Sequence, residues 1–329
     1  MLQFAAAMRA YRQRGIGKFL DSLGQAVALL TLIFIERQGD VPNRSKLLIL
    51  FCGISCGQFR RRATGHPKAF LRFRLPASAP PLEDRQVKAI AIIPARLAST
   101  RLPRKVLREI DGRPMLAHVY EAARACSRLQ DVIVATDSEE VATVCRQNGW
   151  SFRLTSPKHR SGTDRVHEVA QTIEADTYVN VQGDEPLARN EHLDTLLQLM
   201  ERDGVEVGTL KTPCSVEDVN NPNAVKVVTA LDDRALYFSR ATIPFERDPA
   251  GQVRYYKHLG FYAYRRAALD AFCAWPESVL ERSERLEQLR FLEHGIAIHV
   301  AETPFDTVGV DTEEDLQRVE GMLRQAKPR

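Results

Sequence analysis

The chain has 329 residues, 44% of them apolar and 27% charged, which suits one or two packed domains and excludes a disordered or fibrous class. Its formal net charge of +4 is unevenly spread: residues 1–85 carry 14 Lys and Arg against 5 Asp and Glu, leaving 32 against 37 in the other 244. A mildly acidic body excludes a general nucleic-acid surface.

Residues 1–86 read as a basic N-terminal extension ahead of a domain over 87–329. Its two apolar runs, AVALLTLIFI (26–35) and LLILFCGISC (47–56), are ten residues each. A bilayer-crossing helix needs about 20, so no stable membrane insertion is expected. The extension is rich in Arg and poor in acids, as transit segments are, but it lacks their amphipathic period and has no signal-peptide succession. Asn43-Arg44-Ser45 matches a glycosylation sequon, a pattern short enough to arise by chance. No Met lies between Met8 and Met115. Three readings of the extension therefore stand: sequence ahead of a true start near Val87, an organelle-targeting segment, or a membrane-associating tail. RLPASAPPLEDRQ (74–86) marks the boundary.

From Val87 onward, strand-like and helix-like segments alternate. VKAIAII (87–93) is a continuous apolar run suited to a strand buried on both faces. RPMLAHVYEAARACS places Met115, Leu116, Val119, Ala122 and Ala123 on one helical face. DVIVATD (131–137) is the next strand, and SEEVATVCRQNG a short helix closed by Gly149. TDRVHEVAQTIE spaces Val166, Val169, Ala170 and Ile173 as a helix does, and TYVNVQGDEP (177–186) is a strand running out into acids. This order predicts a mostly parallel, twisted α/β sheet with ligands at the carboxyl ends of its strands. Between 205 and 264 the shorter strands VEVGTLK, AVKVVTA and RYYKHLGFYAY predict a smaller mixed or antiparallel insertion beside that sheet. Helices RRAALDAFCAW and SERLEQLRFLEHG, the strand IAIHVAE and a helix from Thr312 complete the chain. The cysteines, Cys52, Cys56, Cys126, Cys145, Cys214 and Cys273, form no CxxC pair and no zinc-spaced cluster, as expected of reduced thiols in a cytosolic compartment.

Four cations, Arg96, Arg101, Arg104 and Lys105, crowd into IIPARLASTRLPRK (92–105), the segment that leaves the first body strand. A strand stopped by Pro94 delivers that loop to the sheet edge where ligands sit, and small residues there let backbone amides approach a polyanion. A nucleoside triphosphate, held by charge-assisted hydrogen bonds of roughly 1.5–3 kcal/mol each, fits that chemistry. Taken alone, the loop is equally a solvated basic turn. Asp184 and Asp311, 127 positions apart, both fall at predicted strand ends on the same edge. Each alone reads as a turn or cap residue; together with the loop they form a two-carboxylate magnesium site completed by phosphate oxygens and water. Thr312 is expected to cap the last helix, with Asp315 reaching back.

PARLASTRLPRK, HRSGTDR, NVQGDEP, NPNAVKVV, ALYFSRATIPF, HLGFYAY, LEQLR and GVDTEEDL, in this order, resemble the 3-deoxy-manno-octulosonate cytidylyltransferases, the CMP-Kdo synthetase family. The resemblance spans residues 87–325 and none of the extension. It implies transfer of CMP from CTP to 3-deoxy-manno-octulosonate (Kdo) with magnesium, a step toward lipopolysaccharide. It also implies a nucleotidyltransferase-type, Rossmann-like domain with a dimerising insertion, working as a cytoplasmic homodimer. By motif position, Arg96, Ser99, Arg101 and Lys105 would hold the triphosphate. Ser161, Gly162 and Arg165, with Gln182, would flank the nucleoside; the same three residues also suit an ordinary capped helix start. Asp184 and Asp311 would bind magnesium; with Arg96 and Lys105 they form the implied catalytic set. Arg240, His258, Tyr262, Glu287 and Gln288 would hold Kdo, although an interface ion pair, core packing and a surface helix are alternative roles for them.

The chain departs from the family at Arg104, where Gly is usual, at Val106, where Pro is usual, and at Lys158, where Asp is common. If residue 104 is left-handed, Arg there costs roughly 1–2 kcal/mol; its cation would sit near the phosphates or crowd Lys105. Two rival readings stand beside Kdo activation. One is a cytidylyltransferase for another acidic sugar, such as an amino-substituted Kdo analogue or a sialic acid. The other is a catalytically silent nucleotide-binding relative.

Overall fold

The computed structural model describes residues 32–34, 48–50, 88–97, 101–248 and 253–326. Two compact units divide the chain, Met1–Ser78 and Ala79–Arg329. In the first, strands β1 (Leu32–Phe34) and β2 (Leu48–Leu50) pair antiparallel. The sequon and the rest of the extension lie outside the described residues. No helix among the described residues is long and apolar enough to cross a membrane.

The second unit is built on a sheet of nine strands. Its centre is β3 (Ala89–Pro94), whose β-branched run is buried almost throughout. β6 (Leu129–Thr136) and β8 (Thr177–Asn180) flank β3 in parallel, and β7 (Phe152–Leu154) extends β6. Because side chains alternate along a strand, β3 feeds two cores. Ala89, Ala91 and Ile93 join one with helices α1 (Met115–Arg124), α2 (Glu139–Asn148) and α4 (Asn190–Met200). Ile90 and Ile92 join the other with α3 (Gly162–Ala170) and α6 (Arg266–Ala274). The expected α/β sheet covered on both faces is therefore present. Gly149 closes α2 at φ 67°, as the sequence suggested.

The antiparallel strands do not form a separate layer. β12 (Tyr256–Tyr264) is hydrogen-bonded along β9 (Val207–Pro213) on one edge, and its other edge is shared. Tyr262–Tyr264 pair with β8, while Lys257 meets Lys226 of β10 (Lys226–Thr229). An irregularity between Leu259 and Tyr262 falls between these two partners. β10 continues into β11 (Ala235–Ser239), and β13 (Ile298–Glu302) runs parallel to β9. A short α5 (Val216–Val219) precedes β10.

One predicted helix is interrupted. SERLEQLRFLEHG contains the end of α7 (Val279–Glu284) and all of α8 (Leu289–Glu293), separated at Arg285, which is left-handed with φ 53°. The apolar spacing suggested one helix because Leu286 and Leu289 are both buried. The interruption is held by the buried pair of Arg290 Nε and Glu281 Oε2, 2.7 Å apart, which ties α8 back to α7. The last helix, α9 (Glu313–Ala326), packs through Leu316 and Val319 against Val310, Leu102 and Met115. A hairpin of β4 (Glu109–Ile110) and β5 (Arg113–Pro114) lies between the basic loop and α1.

Candidate active site

Two features draw Asp184 and Asp311 together. The apolar cluster under α9 brings Val310 against Leu102, and the Val310 amide donates to the Asp184 carbonyl at 2.9 Å. Asp311 is then fixed by the cap of α9. Asp315 Oδ2 accepts from the Asp311 amide at 3.1 Å and the Thr312 amide at 3.0 Å, while the Asp315 amide donates to Thr312 Oγ1. On the other side, Gly183 lets the turn after β8 close onto β3: a Cβ there would stand 2.9 Å from the Pro94 carbonyl oxygen. Only glycine permits that approach.

Lys105, in a short 3-10 turn over Lys105–Leu107, stands between the two aspartates. Its Nζ is 2.5 Å from Asp184 Oδ2 and 2.9 Å from Asp311 Oδ1, and Arg101 holds Asp311 Oδ2 at 3.0 Å. Burial opposes the charge on Lys105, but the two carboxylates outweigh it and raise its pKa above the ordinary lysine value. Burial likewise pushes Asp311 upward, and Lys105 with Arg101 overcomes it to hold the carboxyl below its ordinary range. Both ions are thus kept as ions. The pair of carboxylates on one ammonium is an all-oxygen donor set for a hard divalent cation that draws its remaining ligands from phosphate and water. Among the described residues no group of three or more His, Cys, Asp or Glu is arranged to hold a metal.

These residues line a cleft of about 970 Å³. Arg96, Arg101 and Lys105 form one wall, Ser161, Gly162 and Arg165 another, and Gln182 its floor beside Asp184 and Asp311. Ser99 lies outside the described residues. Ser161 caps α3, accepting from the Asp164 amide at 3.1 Å in a capping box. Arg165 is nearly inaccessible, and its guanidinium is engaged by Asp137 at 2.9 Å and by Thr155. It braces the wall with that charge rather than offering it to the cleft. Arg104 is left-handed at φ 58° and ψ 31°, the conformation in which the family's usual glycine is least strained. Its guanidinium pairs with Glu140 at the start of α2 and is absent from the cleft lining. The extra cation therefore neither joins the phosphate wall nor crowds Lys105.

A second cavity, about 350 Å³, opens beside the first and shares Gly162, Gln182, Arg285 and Glu287 with it. It contains His258, Tyr262, Glu287 and Gln288. Its position follows from β12, whose shared edge leaves room between β8 and β10. At Gly260 a Cβ would stand 2.5 Å from Glu185 Oε1, so a larger residue there would force the Glu185 side chain to shift. Charge is suppressed on its imidazole and carboxyl groups. Burial pushes the His258 imidazole down to about 3 and the Glu287 carboxyl upward, although the Thr163 hydroxyl donates to Glu287 at 2.8 Å. Burial, then the neighbouring Asp184, push Glu185 up to about 8. The Tyr262 hydroxyl and Gln288 Nε2 are buried without a hydrogen-bond partner, an arrangement that favours a polyhydroxylated guest.

Arg240 lines the cleft but not the second cavity. Its Nε donates to the Glu284 carbonyl at 2.8 Å and its Nη1 to the Pro222 carbonyl at 3.1 Å. Several lining residues were left unassigned by sequence reasoning, among them the charged Arg160, Glu185, Lys257 and Arg285. Three of them adjoin assigned positions in HRSGTDR, QGDEP and KHLGF; Arg285 directly precedes LEQLR. Proximity to those motifs was the available signal.

The cytidylyltransferase family model matches residues 90–298. A 3-deoxy-manno-octulosonate cytidylyltransferase of Koribacter versatilis is 69% identical over 258 residues, covering 78% of this chain and 98% of that protein. One from Acidobacterium capsulatum is 59% identical over 241 residues, covering 73% and 98%. A solved CMP:2-keto-3-deoxy-manno-octonic acid synthetase complexed with CTP superposes with a TM-score of 0.70 at 44% identity, covering 73% of this chain and all of that one. With two aspartates on one lysine beside a second, polar cavity, and relatives this similar over most of their length, the chain belongs to the 3-deoxy-manno-octulosonate cytidylyltransferase family.

Proposed function

We propose that this protein transfers CMP from CTP to the anomeric hydroxyl of Kdo and releases pyrophosphate. The observation that carries the reading is the convergence of Asp184 and Asp311 on Lys105, in a cleft that communicates through Gln182 and Glu287 with a cavity suited to a sugar. The relatives named for this reaction, and the CTP complex of one solved neighbour, support both substrates.

In the reaction the sugar hydroxyl oxygen bonds to the α-phosphorus, the bond to the bridging oxygen breaks, and the hydroxyl proton is released. No side chain needs to form a covalent intermediate. Arg96 and Arg101 neutralise the triphosphate and then the charge that gathers on the departing pyrophosphate. Lys105 remains protonated against the two aspartates and holds the α-phosphate region in line. His258 stays neutral and acts with Tyr262, Glu287 and Gln288 as a reader of sugar hydroxyls. Asp184 and Asp311 would hold magnesium, which supplies positive charge at the α-phosphate.

We also infer that the enzyme works in the cytoplasm as a homodimer; the exposed apolar side chains Leu236 on β11 and Phe245 just beyond it support the subunit contact. The test of the reaction is a panel of the four nucleoside triphosphates against Kdo, an amino-substituted Kdo and a sialic acid, with magnesium, read as pyrophosphate release. Turnover is expected with CTP and Kdo. CTP binding without pyrophosphate from any sugar would overturn the reading in favour of a silent relative.

A further inference from the structure

The cleft wall that faces the basic loop is made largely of loop. His159, Arg160 and Ser161 line it, yet residues 155–160 belong to no strand or helix. The sheet holds this stretch at its start, where the Thr155 amide donates to the Thr136 carbonyl at 2.8 Å. Beyond that point the shape of the wall depends on side-chain contacts.

Those contacts come from α3. Arg165 and Glu168 are three residues apart and share one helix face. Arg165 donates to the Thr155 hydroxyl and, at 3.5 Å, to the Ser156 carbonyl. Glu168 Oε2 accepts from the Ser156 amide at 2.9 Å and pairs with His159 Nε2. Ser156 Oγ accepts from the Lys158 amide at 3.2 Å, which tightens the turn between the two Glu168 contacts. The helix thus grips Ser156 by both its amide and its carbonyl.

The two grips differ in reach. Arg165 holds the part of the loop next to β7 and shares its charge with Asp137. Glu168 extends to His159, inside the cleft lining, although Glu168 itself is not part of that lining. Burial pushes the Glu168 carboxyl up, but the Ser156 amide and His159 overcome it and hold the carboxyl below its ordinary range. A carboxylate bound to one ring nitrogen also sets how the imidazole sits and what its other nitrogen offers. Arg96, Arg101 and Lys105 draw the phosphates to the opposite wall, which leaves the 159–162 side for the nucleoside.

Resting on CTP as a substrate of the proposed reaction, we infer that Glu168 is a positioning residue for the nucleotide. Its carboxylate sets the 156–160 loop and the His159 ring, and through them the wall that meets the nucleoside end of CTP.

The experiment titrates CTP, CMP and inorganic tripolyphosphate calorimetrically, with magnesium and without sugar, into the full chain and its Glu168→Ala, Glu168→Gln, His159→Ala and Glu168→Ala/His159→Ala variants. Thermal melts and KM for both substrates accompany the titrations. A displaced wall predicts that Glu168→Ala weakens CTP and CMP about tenfold while tripolyphosphate stays within about twofold. Glu168→Gln keeps an oxygen acceptor for the Ser156 amide and should recover most of the loss. The double variant should lose less than the sum of the single ones, because both act on one wall. In turnover, KM for CTP should rise in Glu168→Ala while KM for Kdo at saturating CTP stays within about twofold. A lowered Tm with unchanged CMP affinity in Glu168→Ala would make the residue merely structural and overturn the inference. Equal weakening of CMP and tripolyphosphate would overturn it as well. His159→Ala tests the same contact without altering α3, and an unchanged CMP affinity there would also contradict it. The titrations contain no sugar, so they decide this inference separately from the reaction. No pyrophosphate from wild type with CTP and Kdo would remove the proposed reaction alone.

Discussion

The two adjoining cavities treat charge in opposite ways. In the cleft at the end of β3, Lys105 is raised and Asp311 lowered, so pairing outweighs burial and the ions persist. In the cavity along β12, burial dominates instead: His258 falls to about 3, and Glu185 rises to about 8. The difference follows from construction. Loops at the carboxyl edge of parallel strands leave charged side chains partly open to solvent and to each other. The gap between two partners of one antiparallel strand surrounds its residues with sheet. A polyanion suits the first environment and a polyhydroxylated guest the second.

If the cleft works by paired charge, removing either carboxylate should be the most damaging change. Asp184→Asn and Asp311→Asn are expected to lower kcat by about 1,000-fold or more with little loss of fold, measured as pyrophosphate release beside circular dichroism. Substantial activity in either variant would remove that residue from the reaction.

The suppressed charge of the second cavity should be visible as a pH dependence of stability. Burial, and then the neighbouring Asp184, push the Glu185 carboxyl from the ordinary glutamate value of 4.5 up to about 8. A raised folded pKa means stability fully present below about 4.5 and lost as pH rises through about 8. Urea unfolding in chelator at pH 5 and pH 9 should therefore show Glu185→Gln gaining on wild type at the higher pH, by an amount on the order of a few kcal/mol. Parallel pH profiles for the two proteins would contradict the burial of a proton-bearing carboxyl.

Tyr262→Phe sharpens the comparison from the sugar side. Removing a buried hydroxyl without a protein partner should leave stability equal or slightly higher, while KM for Kdo rises about tenfold. The smallest expected effect is at Arg104. Relief of a left-handed non-glycine residue by Arg104→Gly should raise Tm by roughly 2 °C with turnover unchanged, as read by thermal melts and steady-state rates.

How much of this the sequence disclosed depended on distance along the chain. β3, the basic loop and the Thr312–Asp315 cap were legible because their signals are local: a β-branched run, a proline stop and a capping spacing. Asp184 and Asp311 were legible as strand-end acids, but the apolar contact of Val310 with Leu102 that brings them together depends on packing between remote segments. Arg240 and Arg165 were recognisable as arginines of motifs, whereas which oxygens their guanidinium groups would occupy was not. Arg285 escaped because the apolar spacing of its neighbours fits an unbroken helix, and the left-handed break depends on the Glu281–Arg290 pair and on the burial of Leu286.

The convergence of the two aspartates is tested most directly by diffraction from crystals grown with Mn²⁺ in place of magnesium and a nonhydrolysable CTP analogue. The account predicts an anomalous peak bound to Asp184, Asp311 and the α-phosphate, with Lys105 moved onto the phosphates. An ion bound elsewhere, with both carboxylates still closed on Lys105, would contradict it.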